Sequence, residues 1–218
     1  MNQGGYVELA KNPGQEMLLG LRSVRRLFVE VSELILSADR AMSDKGWDHL
    51  GHHQAVSLSN NIKDPQRWFP STVARHYKSD DLDRATNPKF AFIGVILDPD
   101  ADANASFEEP IISFGWIELH ENWREEFQKA DEKKGENVKL ERWLNGDQSW
   151  VETALVEQVE ADGQFQLWSS TKGPSENHGV NRHEIACLPL VSIGDEDSLY
   201  KNVIEPLYSN LTKRFGQD

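Results

Sequence analysis

Asp98, Asp100 and Asp102 alternate along DPDADANASFEE (98–109) as the first three ligands of a calcium loop do, and Glu109 stands twelfth, where such a loop places its bidentate carboxylate. Ser106 occupies the ninth position and the Asn104 carbonyl the seventh, so the oxygen inventory suits a hard cation, calcium or magnesium. Against this, Ala103 stands where the sharp turn of an EF-hand needs glycine, and Pro99 stiffens the start of the loop. The flanking residues read as strands rather than helices. The favoured reading is a solvated hairpin connection with its acids in water. A divalent cation is the alternative, and otherwise no cofactor is expected.

A second cluster, WDHLGHHQ (47–54), sets His49 and His53 four residues apart, the spacing of a two-histidine zinc face on a helix, with Asp48 and His52 nearby. Gly46 and Gly51 weaken a helix there, and Leu50 takes the place of a metalloprotease glutamate. Histidines without a metal are the expected outcome. A third arrangement combines Asp100 with Glu118 and His120 of ELH (118–120): two carboxylates holding a metal and a histidine orienting water or phosphate would make a metal-dependent hydrolase or nuclease. Short acidic patterns arise readily in a chain with 36 Asp and Glu, so this reading ranks below a non-catalytic one.

The fourth cluster lies between residues 63 and 78, where Arg67, Arg75 and Lys78 are interleaved with Trp68, Phe69 and Tyr77 and Asp64 is the single acid. Basic side chains among aromatics suit phosphate contact and base stacking. Core packing by the aromatics, with basic neighbours reaching outward, explains the same pattern. A formal charge of −13 argues against broad binding to a polyanion, and so against nucleic acid. Residues 1–109 hold 12 basic against 16 acidic side chains and residues 110–218 hold 11 against 20, which leaves the first half as the place for any anion-binding face. No GxxxxGK[ST], GxGxxG or GxSxG stretch occurs.

These residues need elements to position them. A chain of 218 residues with 38% hydrophobic and 27% charged side chains is sufficient for a packed core, and its mean hydropathy of −0.61 is polar. The lone Cys187, inside IACLPLVSI, excludes an internal disulfide and reads as a buried apolar residue. No run approaches the roughly 18 apolar residues of a membrane span, and the first residues lack a secretory pattern, so no membrane association and a cytoplasmic location are expected.

The strongest periodic signal follows a polar segment, 1–14. Met17, Leu21, Val24, Phe28, Val31, Ile35, Ala38 and Met42 recur at steps of four and three, one seam of a long helix over 15–45, widened by Leu18, Leu27 and Leu34. It is either the spine of the core or, as in a coiled coil, the seam of a homodimer. Residues 46–88 read as irregular chain with short helices, one capped by Ser71 and running to Tyr77. KFAFIGVILD and PIISFGWIEL (89–98 and 110–119) read as central strands of an antiparallel hairpin covered on both faces. The sheet region extends to 193, with an inserted helix near 122–134 started by Asn122, a hairpin turn at Asn145-Gly146 and another turn at Asp162-Gly163. A closing helix spans 195–215, kinked or restarted by Pro206.

The order of elements gives a single α+β domain, a mainly antiparallel sheet of about five or six strands packed by the N-terminal and C-terminal helices. The expected function is that of an accessory or protein-interaction protein without catalysis, engaging a protein partner or a second copy through the long helix or an aromatic surface.

Overall fold

The computed structural model describes residues 13–50, 72–79, 87–97, 109–121, 123–125, 162–169 and 180–216. The fold is α+β. Helix α1 (Pro13–Ser43) precedes six strands: β1 (Asp48–His49), β2 (Thr72–Lys78), β3 (Lys89–Ile96), β4 (Ile111–Leu119), β5 (Gln166–Ser169) and β6 (Val180–Pro189). They form one antiparallel sheet in the order β1-β2-β3-β4-β6-β5.

The chain closes with a short 3-10 turn (Leu190–Ser192), α2 (Glu196–Leu199), a π-helical turn (Tyr200–Ile204) and α3 (Glu205–Phe215). Among the described residues no helix is long and apolar enough to cross a membrane.

Local chemistry sets the boundaries. At the end of α1 the Gly46 N–H donates to the Ser43 carbonyl and the Trp47 N–H to the Met42 carbonyl, with Gly46 at φ +78°. This is the glycine-terminated stop in which the residue after glycine packs back on the helix, and Trp47 and Met42 are both buried. The Asp195 carboxylate caps α2 by accepting from the Ser198 N–H, and the Ser198 hydroxyl accepts from the Asp195 N–H. Pro206, which has no N–H to offer Asn202, follows directly on the π-helical turn: the Glu205 N–H reaches back to the Tyr200 carbonyl, and the helix continues to Gly216 instead of breaking.

β3 and β4 pair from Lys89↔Glu118 to Ile96↔Ile111 as the expected hairpin, and every residue of β4 is buried. Ile112, Phe114 and Trp116 face the helices together with Ala91, Ile93 and Val95 of β3 and Val73 and Tyr77 of β2. They meet Val31, Ile35, Ala38 and Met42 from α1 and Val203, Leu207 and Leu211 from the C-terminal helices. Phe90, Phe92, Ile117 and Ile185, pointing the other way, are buried as well. Gly115 lets β6 come close, since a Cβ there would collide with the Glu184 carbonyl oxygen.

One expectation for residues 46–88 is corrected, and one alternative weighed there loses its geometry at His49. Residues 72–78 form β2, not a helix capped by Ser71. In TVARHYK the odd positions Val73, Arg75 and Tyr77 turn toward α1 while Thr72, Ala74 and His76 turn away, and all six are buried, which only period-two geometry achieves. His49 lies in β1 opposite Tyr77, so no helical His49/His53 face begins there. Only 123–125 of the inserted helix, and none of the Asn145-Gly146 turn, falls within the described residues.

Candidate functional site

Among the described residues the positions singled out for chemistry do not meet in one site. Asp98, Asp100, Asp102, His53 and Arg67 lie outside the described residues; Glu109 is exposed just ahead of β4. Among the described residues no group of three or more His, Cys, Asp and Glu side chains gathers as a metal would require.

Glu118, on the helix-covered side of β4, is buried and its carboxylate is engaged: Oε1 accepts from Asn181 (2.7 Å) and from Arg182 Nε (3.1 Å), and Oε2 from Arg182 at 2.8 Å. His120 follows the end of the strand, where its carbonyl accepts from the Trp123 N–H. Arg75 does not face solvent anions. It is buried against Asp39 of α1 in a two-pronged pair at 2.9 and 3.2 Å. Lys78, three positions on in the same strand, points to the opposite sheet face, so the two do not form one anion site.

Sequence reasoning passed over a second buried carboxylate. Glu184 of β6 accepts from Arg214 Nε and Nη2 at 3.0 Å each and from Trp116 Nε1 at 3.0 Å; the same indole N–H also reaches Asn210 Oδ1 at 2.9 Å. Both guanidinium groups that hold these glutamates, Arg182 and Arg214, are held more firmly protonated than usual by the bonded carboxylate. A signal was present: Arg182 and Glu184 stand two apart in an apolar strand, hence on one face. Burial pushes the His183 imidazole down to about 4 and the Cys187 thiol up to about 12, the latter opposed by the neighbouring Ser113 hydroxyl. Burial, then the Asp39 charge, pushes the Tyr77 phenol well above its ordinary value. The pairs Arg75–Asp39 and Arg214–Glu184 tie the sheet to α1 and α3, and Arg182–Glu118 ties β6 to β4. Among the described residues the two buried carboxylates, Glu118 and Glu184, are each engaged by an arginine.

The surface that stands out is on α1. Along its seam Val31, Ile35, Ala38 and Met42 are at most 4% exposed, but Met17 is 64%, Leu21 53% and Val24 36% exposed, and Leu18 and Leu19 are exposed beside them. Geometry accounts for the change. A helix of 31 residues is about 46 Å long, whereas the longest strand among the described residues, with 10 residues, spans roughly 33 Å. Every residue from Gly14 to Arg26 is exposed, and that half carries Arg22, Arg25 and Arg26 against the single acid Glu16.

Beside the middle of α1 lies a groove of about 460 Å³. Leu27, Val31 and Leu34 line it from α1 and Leu190, Val191 and Ile193 from the segment after β6; Glu30, Glu33, Asp195 and Glu196 are also among its lining residues. Val191, on the lip, is 79% exposed. The Asp195 carboxyl is held below the usual range by its bonds to Ser198, which fixes a negative charge beside the groove.

Compared with protein families, curated proteins and solved structures, the chain matches no family model, no curated protein and no solved structure, so its surface chemistry carries the functional reading.

Proposed function

We propose that this is a non-catalytic protein-interaction protein that engages its partner through the outer half of α1. The observation that carries the reading is the continuity of the seam: the spacing that buries Val31, Ile35, Ala38 and Met42 against the sheet presents Met17, Leu21 and Val24 to solvent. A contiguous apolar strip rimmed by charge is the usual form of a docking surface. The engaged state of Glu118 and Glu184 supports the non-catalytic part, because their hydrogen-bonding capacity is spent on arginine, asparagine and tryptophan. We place the activity in the cytoplasm, in keeping with a lone buried cysteine that forms no disulfide.

The test is binding that depends on the seam. Wild-type chain and the double variant Leu21→Glu, Val24→Glu, immobilised at equal density, are offered the native extract and, separately, the purified chain. Retention of a macromolecule by the wild type alone is the expected result. A protein that binds nothing, or whose partners ignore both substitutions, would sink the proposal.

A further inference from the structure

We infer that the groove beside α1 is a docking site for a basic amphipathic helix of another protein, whose apolar side rests in the groove while its lysines or arginines meet the acidic rim. This site is distinct from the exposed seam proposed above to engage a partner. At 100° per residue, Leu27, Glu30 and Leu34 point roughly a third of a turn away from Met17, Leu21 and Val24. A helix lying in the groove therefore leaves the seam open.

The groove is a preformed apolar bed. Val31 and Leu199, the two buried residues of its lining, form the floor, and Leu27, Leu34, Leu190 and Ile193 are half-buried above them. Both sides are anchored. Ile35 and Ala38 fix α1 to the sheet; across the groove, the Leu190 N–H donates to the Pro110 carbonyl, the Ile193 N–H to the Leu190 carbonyl, and Asp195 caps α2. A bed already in shape costs little to order when a ligand arrives. From Leu27 to Ser37 it follows about 15 Å of α1, almost three turns, which is the length over which a helix laid alongside presents apolar residues at i, i+4 and i+7.

Charge selects the occupant. Glu30 and Glu33 stand on the α1 bank, Asp195 and Glu196 on the other, and among the described residues no lysine, arginine or histidine lines the groove. Arg26 bonds Glu30 at 2.8 Å and Arg40 reaches Glu196 at 3.4 Å; all four side chains are more than half exposed, so both pairs are weak and open to exchange. Glu33 and Asp195 meet no cation among the described residues. Two acidic banks around an apolar floor match a helix with a basic residue on each flank of its apolar stripe. An acidic helix would be repelled, and an uncharged one would leave the carboxylates without partners.

The experiment is fluorescence anisotropy at 0.15 M salt, where a Debye length of about 8 Å mutes the pull of the −13 carried by the whole chain. The probe is a labelled synthetic peptide of leucine and lysine, about four turns long, with its leucines on one helical face. One comparison peptide scatters the same leucines around the helix, and another has glutamine for every lysine. The wild type should bind the probe, and each comparison peptide at least about tenfold more weakly. Val191→Arg, which sets a cation on the lip, should weaken probe binding at least about tenfold. Glu33→Gln with Asp195→Asn, which keeps the cap, should weaken it at least about fivefold. Asp44→Asn with Glu205→Gln removes the same charge away from the groove and should stay within about twofold of wild type.

A probe that does not bind, a comparison peptide that binds as tightly, or equal losses from the two double neutralisations would each overturn the inference, the last by making the attraction general. Probe binding that weakens as the chain is concentrated, in step with its self-association, would give the groove to a second copy and overturn it too. The seam is tested separately: Leu21→Glu with Val24→Glu should hold the probe as the wild type does, and loss of binding there would move the probe to the seam. The side chains substituted at the groove and in its control are exposed, and unchanged thermal unfolding checks that each fold is intact.

Discussion

The two halves of α1 share one periodicity and differ in what stands opposite. In the inner half Ile35 and Ala38 press on the sheet and Asp39 grips the buried Arg75; in the outer half Leu21 and Val24 meet solvent, and the ion pair Arg26–Glu30 lies open on the surface. The same residue types at the same spacing therefore stabilise the monomer in one half and lie open to solvent in the other, where we propose that they dock a partner. Periodicity shows which face of a helix is apolar, but not where the surface it covers ends.

The largest effect should come from charge. Replacing Arg75 with Met leaves the largely covered Asp39 carboxylate beside Tyr77 without its cation, a class of change that costs up to about 3–5 kcal/mol. Replacing Arg26 with Met removes an exposed pair worth under about 0.5 kcal/mol. Urea unfolding of dilute protein reads both, and comparable losses would erase the distinction between the halves. Apolar truncation comes next. Ile35→Ala should cost about 2–4 kcal/mol by opening a cavity under the helix, and Leu21→Ala should leave the dilute monomer within about 0.5 kcal/mol while weakening association. A Leu21→Ala monomer as destabilised as Ile35→Ala would mean that the outer seam belongs to the core.

A smaller effect separates the sheet from α1. His183 on β6 has a folded-state value of about 4, below the 6.5 of an unfolded imidazole, so the unfolded chain binds more protons between those two values. Stability from this site is complete above about pH 6.5 and is lost as pH falls toward 4. The loss by pH 5 is on the order of 2 kcal/mol. His183→Gln should flatten that limb of a pH series of melting curves. An unaltered limb would place the titration elsewhere.

How much of this was legible beforehand follows from the range of the interactions. The seam of α1, its glycine stop and the Asp195 start and Lys213–Arg214 end of the closing helix rest on residues a few positions apart, and β3 and β4 are consecutive runs of strand-forming residues, so the sequence displays them. β2 was misread because TVARHYK looks amphipathic only once Arg75 has a partner, and Asp39 lies 36 positions away. Glu118 looked like a metal ligand because Arg182, 64 positions on, is invisible from ELH. The groove is harder still. Its two walls come from opposite ends of the chain, and nothing local in either indicates that a lip of Leu190, Val191 and Ile193 stands beside Leu27 and Leu34.

The smallest effect tests that lip. Asp195 has two roles there, a cap on α2 through the Ser198 N–H and a fixed negative charge beside the groove. Asparagine caps about as well as aspartate, whereas alanine does not cap. Asp195→Ala should therefore lower Tm by about 2–4 °C and Asp195→Asn by less, because only alanine frays the turn that holds Ile193 and Gly194 in place. If the groove accepts a basic helix, Asp195→Asn should weaken association nearly as much as Asp195→Ala despite its intact cap. If association instead follows Tm, the groove depends on the shape of the lip and its charge at Asp195 is incidental.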